Sequence, residues 1–220
     1  MKESTLIGQY PELYHVAEPD SWPLILRHGL LSTSALLELL DCPSAQRELI
    51  ELHRRPEKVR LSNAAIGSVV VRDQKPMSDA ALTKVLTSGT PAEWYRLLNS
   101  KVFFWPNVDR LTRFLGARAY RDSPQIVITV DTARLLADRR EDIYLSPINS
   151  GATLFNPVDR GPETFARVAA YPFEHWKRKR SSSQAVAEIA VNGGVTGIER
   201  YATEVRRWRG RSPGEVIWSS

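Results

Sequence analysis

Residues 13–33, LYHVAEPDSWPLILRHGLLST, place a strand, a helix and a return to the core in one short run. Tyr14-His15-Val16 is a β-prone segment with a single histidine in it. Asp20 can cap a helix through its carboxylate, and Pro23 is tolerated in the first turn, where a backbone N–H is not needed. Trp22, Ile25 and Leu26 then fall at helical spacing, and Gly29 supplies the left-handed residue that closes the helix. Leu30 and Leu31 lead back into the core, and Ser32, Thr33 and Ser34 offer hydroxyls at the next turn. Such a unit often builds one wall of a pocket. On spacing alone, His15 also reads as a core histidine satisfied by a hydrogen bond.

Outward from that unit, helices are expected over 35–40, from Ser44 to the break at Arg54-Arg55-Pro56, over 80–86, from Thr90-Pro91, and over 108–115. Strands are expected at 66–71, 101–106, 125–130, 143–145, 185–191 and 198–208. Along Lys101-Val102-Phe103-Phe104-Trp105-Pro106, alternation places Phe103 and Trp105 on one face, with Val102 and Phe104 on the other. One face is core; the other is either buried too or an aromatic wall for a flat ligand. The polar cluster 72–77 and the small, turn-rich stretch 146–157 are places for a site or plain connections. Helices early and strands late, without strict βαβ alternation, argue an α+β fold around a mixed, mostly antiparallel sheet.

The length of 220 residues fits one domain, read here as 1–210 with a loose tail at 211–220. A hydrophobic share of 42% and a charged share of 25% are those of a globular protein with a real core. No apolar run approaches the ~20 residues that span a bilayer, and the first residues lack a secretory pattern. Cys42 is the only cysteine, so an intrachain disulfide is excluded and a cysteine-based metal site is not expected. Together these point to a cytoplasmic protein with neither a membrane nor a metal partner. The net charge of +5 is concentrated late, with a block at Lys177, Arg178, Lys179 and Arg180 beside three serines. That block reads as a phosphate or nucleic-acid contact or as a solvated loop.

Glu188 resists an ordinary explanation. In AVAEIAV, residues 185–191, an ionised carboxylate sits among apolar neighbours, which is unfavourable unless it has a partner or faces a wet cleft. Alternation puts it on a face with Val186 and Ala190. A strand-edge glutamate paired with an arginine is the competing reading. No glycine-rich phosphate loop, His-Glu-x-x-His pattern or Gly-x-Ser-x-Gly elbow is present.

Leu13-Tyr14-His15 followed by Leu24-Ile25-Leu26-Arg27-His28-Gly29-Leu30 resembles the opening motif of the ADP-ribosyltransferase superfamily. The similarity is closer to its DNA-targeting DarT-like branch, through Arg54-Arg55 ahead of Val59, Lys75-Pro76-Met77, and a basic run leading to Gln184 and Glu188. The chain also looks like a member of an uncharacterised bacterial family sharing RDQKPM, EWYRLLN, VFFW and LSPINSG. What the resemblance implies is an ADP-ribosyltransferase-like fold and NAD as substrate, with Glu188 catalytic and Arg55 assisting. His15, with Tyr14, would hold the ribose, and arginines such as Arg54 the pyrophosphate, while Trp105 or Tyr120 would stack on nicotinamide. Lys177 to Arg180 would meet a nucleic-acid acceptor, a DNA or RNA base, with a protein as the other acceptor class, and a toxin of this kind would have an antitoxin partner. Two readings stand beside it: a nucleic-acid-binding module that has lost catalysis, and an RNA phosphotransferase with NAD-like chemistry.

Overall fold

Tyr14, His15 and Val16 lie at the centre of a strand that joins the two halves of the sheet architecture. The computed structural model describes residues 1–155 and 157–220. In chain order it begins α1 (Glu3–Gln9), β1 (Glu12–Ala17), α2 (Trp22–His28), β2 (Leu30–Leu31), α3 (Thr33–Leu39) and α4 (Ser44–Leu52). Next come β3 (Val59–Asn63), β4 (Gly67–Val71), α5 (Asp79–Val85), α6 (Pro91–Asn99), β5 (Lys101–Phe104) and α7 (Val108–Leu115). β6 (Pro124–Asp131), α8 (Thr132–Arg139), β7 (Ile143–Ser146), β8 (Ala166–Arg167) and α9 (Phe173–Lys179) follow. The chain closes with β9 (Glu188–Asn192), β10 (Gly194–Val195), β11 (Ala202–Arg209) and β12 (Ser212–Ser219).

The strands form two four-stranded antiparallel sheets, ordered β1-β6-β11-β12 and β5-β9-β7-β8, so the architecture is α+β as expected. The sheets meet edge to edge, because Tyr14 and Trp105 exchange backbone hydrogen bonds of 3.0 and 2.8 Å. One core runs across both sheets and includes Leu13, Ala17, Val102, Phe104, Ile128, Ile189 and Val191. Phe103 packs on the other side of β5 with Trp94 and Phe165, so that strand is buried on both faces.

The local grammar explains most boundaries. Ser32, Ser78, Asn107 and Asp131 cap α3, α5, α7 and α8 with their side chains, and Thr90 and Glu93 make a reciprocal capping box on α6. Gly29 ends α2 at φ +92°, and a Cβ there would lie 2.8 Å from Thr196 Cα. Only glycine lets β2 and β10 pair so closely behind the helix.

Four readings are corrected. Residues 212–219 are not a loose tail: they form β12, which pairs with β11 through an irregular register. The basic block is not a loop, since Lys177 to Lys179 are the last turn of α9 and Arg180 its C-terminal cap. Ala185 to Ala187 precede β9, so Val186 packs in the main core with Ile189 rather than sharing a face with Glu188. β3 is an extra strand, and with β4 it makes a hairpin separate from both large sheets.

Candidate functional site

A cleft of about 520 Å3 opens where the two large sheets meet, and His15 and Glu188 both line it. That volume suits a small organic ligand. Phe103, Phe104 and Trp105 of the β5 segment form one wall, while Leu24, His28 and Leu36 contribute from α2 and α3. The β3–β4 hairpin supplies Arg60, Ser68, Val69 and Val71.

His15 reaches the cleft because alternation along β1 sends it to the side of Leu13 and Ala17. Its Nδ1 lies 2.8 Å from the carbonyl oxygen of Phe103 on the neighbouring sheet. A carbonyl only accepts, so the ring proton sits on Nδ1 and Nε2 is left as an acceptor for a ligand hydroxyl. Desolvation pushes the imidazole pKa down to about 4; the Phe103 bond opposes that fall and the charge of Arg72 adds to it. At neutral pH the ring is uncharged.

Glu188 opens β9 and is only 5% exposed. Its Oε2 accepts from the backbone N–H of Ser150 at 2.9 Å and from the Ser150 hydroxyl at 2.6 Å. Burial pushes the carboxyl up to about 7, against the Ser150 bonds and the charges of Arg110 and Arg160. The expected alternative, a direct ion pair with an arginine, is not what holds it. Ser150 does, from outside the cleft lining.

Three cations line the cleft beside the hairpin: Arg55, Arg60 and Arg72. Arg55 gives Nε to the Arg72 carbonyl at 3.0 Å and Nη1 to the Ile50 carbonyl at 2.5 Å, and burial lowers its pKa to about 10. Its hydrogen bonds tie the hairpin to α4, so much of its role is structural. Arg72 gives Nη1 to Gln125 Oε1 at 2.6 Å and lies 5.8 and 5.7 Å from the ring centres of Phe114 and Tyr120. Its Nη2 is buried without a partner among the described residues. Glu18, also in the cleft wall, is held by Lys58 at 2.7 Å with Arg72 3.9 Å away.

Other expected site residues lie elsewhere. Tyr14 points to the opposite face of β1 from His15, against Trp105 and Leu111, and its hydroxyl donates to Glu12 at 2.7 Å. Tyr120 packs behind Phe114 and donates to Asp73 at 2.8 Å, outside the cleft lining. Trp105 does line the cleft, joined by Phe114 from α7. Arg54 reaches the Lys75 carbonyl at 3.4 Å and is not part of the lining. At the end of α9, Arg180 stacks on Trp176 and donates to the Pro147 carbonyl at 2.6 Å, and Lys177 pairs with Glu174 at 3.7 Å. The basic block thus borders the loop that carries Ser150.

Among the described residues, no three His, Cys, Asp or Glu side chains gather as a metal-ligand set. No helix among them is long and apolar enough to cross a membrane. Arg72 and Ser150 were visible in the sequence only as members of polar stretches, because neither lies in a spacing that marks chemistry.

None of the curated proteins compared matches the chain. A family profile described as "Family of unknown function (DUF7002)" matches residues 11–202, a span that contains both His15 and Glu188. The chain belongs to this DUF7002 family.

Proposed function

We propose that the protein is an NAD-consuming ADP-ribosyltransferase, with an ADP-ribosyltransferase-like fold and its site in the cleft between the sheets. The observation that carries this reading is the meeting of His15 and Glu188, distant in sequence and on different sheets, in one cleft. In the reaction, the bond from ribose C1′ to the nicotinamide nitrogen breaks and its electron pair leaves with nicotinamide. A nucleophile on the acceptor bonds to C1′ and sheds its proton. Positive charge builds on the ribose between these events, as in glycoside cleavage. Glu188, fixed in place by Ser150, is suited to stabilise that charge without reorganisation. His15 Nε2 accepts from a ribose hydroxyl, Trp105 and Phe114 offer faces to nicotinamide, and Arg72 with Arg55 faces the pyrophosphate. The basic end of α9 meets a nucleic-acid acceptor, and an antitoxin that covers the cleft is the matching partner.

The test is thermal unfolding with and without millimolar NAD, coupled to nicotinamide release in the presence of a single-stranded oligonucleotide. Binding to the folded state raises the melting temperature by mass action. No shift, together with no calorimetric binding, leaves the nucleic-acid-binding module instead. For the acceptor surface, replacing Lys177 to Arg180 with glutamine flattens the salt dependence of oligonucleotide binding. Unchanged binding in that variant removes the acceptor assignment.

A further inference from the structure

Arg160 is 1% exposed and heads the fully buried side chains in size. A guanidinium keeps its charge, and a buried charge is strongly unfavourable unless it is compensated. Its Nε donates to the Val158 carbonyl at 3.1 Å and its Nη1 to the Ser150 carbonyl at 3.0 Å. It lies 6.0 Å from the ring centre of Trp94. Its backbone is bolted to the end of α5, with Arg160 N–H on the Val85 carbonyl at 2.8 Å and Thr87 N–H on its own carbonyl at 2.9 Å. Ser150, gripped from that side, turns its N–H and hydroxyl onto Glu188. A carboxylate and a guanidinium, both removed from water, are thus linked through one serine.

We propose that Arg160 is a positioning residue for Glu188: it fixes Ser150 through its carbonyl, and Ser150 in turn holds the carboxylate. This deepens the reading of Glu188 as catalytic, although the effect on Glu188 exists whether or not NAD is the substrate. Arg110 from α7 also acts on the carboxylate, and the charged or titratable groups that share the cleft with it are Lys101, His15, Arg55 and Arg72, with Glu18, Asp20, His28, Arg60 and Asp73 in the same lining. Lys101 is turned to Asn192, and His15 is neutral. Arg110 and Arg160 are the two whose charges favour the ionised carboxylate. Arg110 gives its Nη2 to the Gln184 carbonyl, whereas Arg160 donates to Ser150 itself.

The experiment is a carboxyl 13C NMR titration of the full chain, with the Glu188 resonance assigned by its loss in Glu188→Gln. Arg160→Met removes charge and donors, and the Glu188 midpoint moves up by at least about half a pH unit. Arg160→Gln removes the charge and leaves one shorter amide donor, so it moves the midpoint in the same direction by less. If the methionine variant does not fold, the glutamine variant decides. A folded neutral variant with the wild-type midpoint overturns the proposal. The titration uses no NAD, so a failed NAD assay and a failed Arg160 proposal are separate results. If turnover is present, the alkaline move of Glu188 appears in the pH profile of kcat/KM with the same sign.

Discussion

His15 on β1 and Glu188 on β9 both give up bulk water, and burial drives their pKa values past each other, to about 4 and about 7. The ordinary order of an imidazole and a carboxyl is reversed. Between those values the carboxyl holds the proton and the imidazole does not, so neither His15 nor Glu188 carries a charge. Desolvation penalises the charged form of each group, whichever sign it has. The walls differ in what opposes it. His15 has a single carbonyl and an adjacent arginine of like charge, whereas Glu188 has two donors and two cations. Glu188 is therefore close to ionising at neutral pH.

The largest effect expected from breaking this pair is on turnover. Glu188→Gln keeps the shape and removes the charge, so NAD turnover falls by roughly two to three orders of magnitude while most NAD affinity stays. Full turnover in the folded variant would sink the catalytic assignment. On the proposed mechanism the ionised carboxylate is the active form, so kcat/KM of the unaltered protein is expected to rise with pH through about 7. A flat profile there would separate Glu188 from the chemistry.

Stability against pH sharpens the comparison, with effects of about 3 kcal/mol for each wall. Glu188 in the folded state holds a proton that the unfolded chain has released, so its contribution declines as pH rises from 4.5 to about 7. His15 behaves oppositely: the unfolded chain binds the proton first, and its contribution is lost as pH falls from 6.5 to about 4. In the shared window the two slopes cancel. Denaturant unfolding of Glu188→Gln then shows stability rising with pH, and His15→Asn shows it falling. Parallel slopes in the two variants would refute the opposed pair.

The smallest effect concerns binding. Asparagine in place of His15 can still donate to Phe103 from the Nδ1 position but has no group at Nε2. The loss of one hydrogen bond to a ribose hydroxyl weakens NAD binding about tenfold. Calorimetric titration measures it, and unaltered affinity would move His15 from the ligand to the scaffold.

The two walls were legible to different degrees. His15 and Glu188 stood out because a polar group in an apolar strand breaks a simple pattern, and a pattern break is visible in one dimension. Ser150 and Arg160 were not separable from their neighbours, since their role depends on a loop folding back onto β9. Tyr14 was placed at the site by the resemblance and Tyr120 as an aromatic for stacking, and alternation along β1 and packing behind Phe114 put them elsewhere. β12 escaped because Ser212-Pro213-Gly214 reads as chain end, yet an edge strand tolerates proline where no ladder N–H is needed. α9 was hidden by its own charge, which drew the reading away from Phe173 and Trp176 on its apolar side.

The β3–β4 hairpin pairs with neither large sheet and rests on its own small cluster of Leu37, Leu40, Ile50, Leu61 and Val71. It can therefore act as a separate cooperative unit, opening with less free energy than the whole molecule needs to unfold. Amide protons of its strands exchange with deuterium well before those of β6, whose residues are almost all buried. A ligand in the cleft slows the hairpin and, by mass action, the slower global exchange of β6 as well, so the early-exchanging hairpin amides report binding soonest.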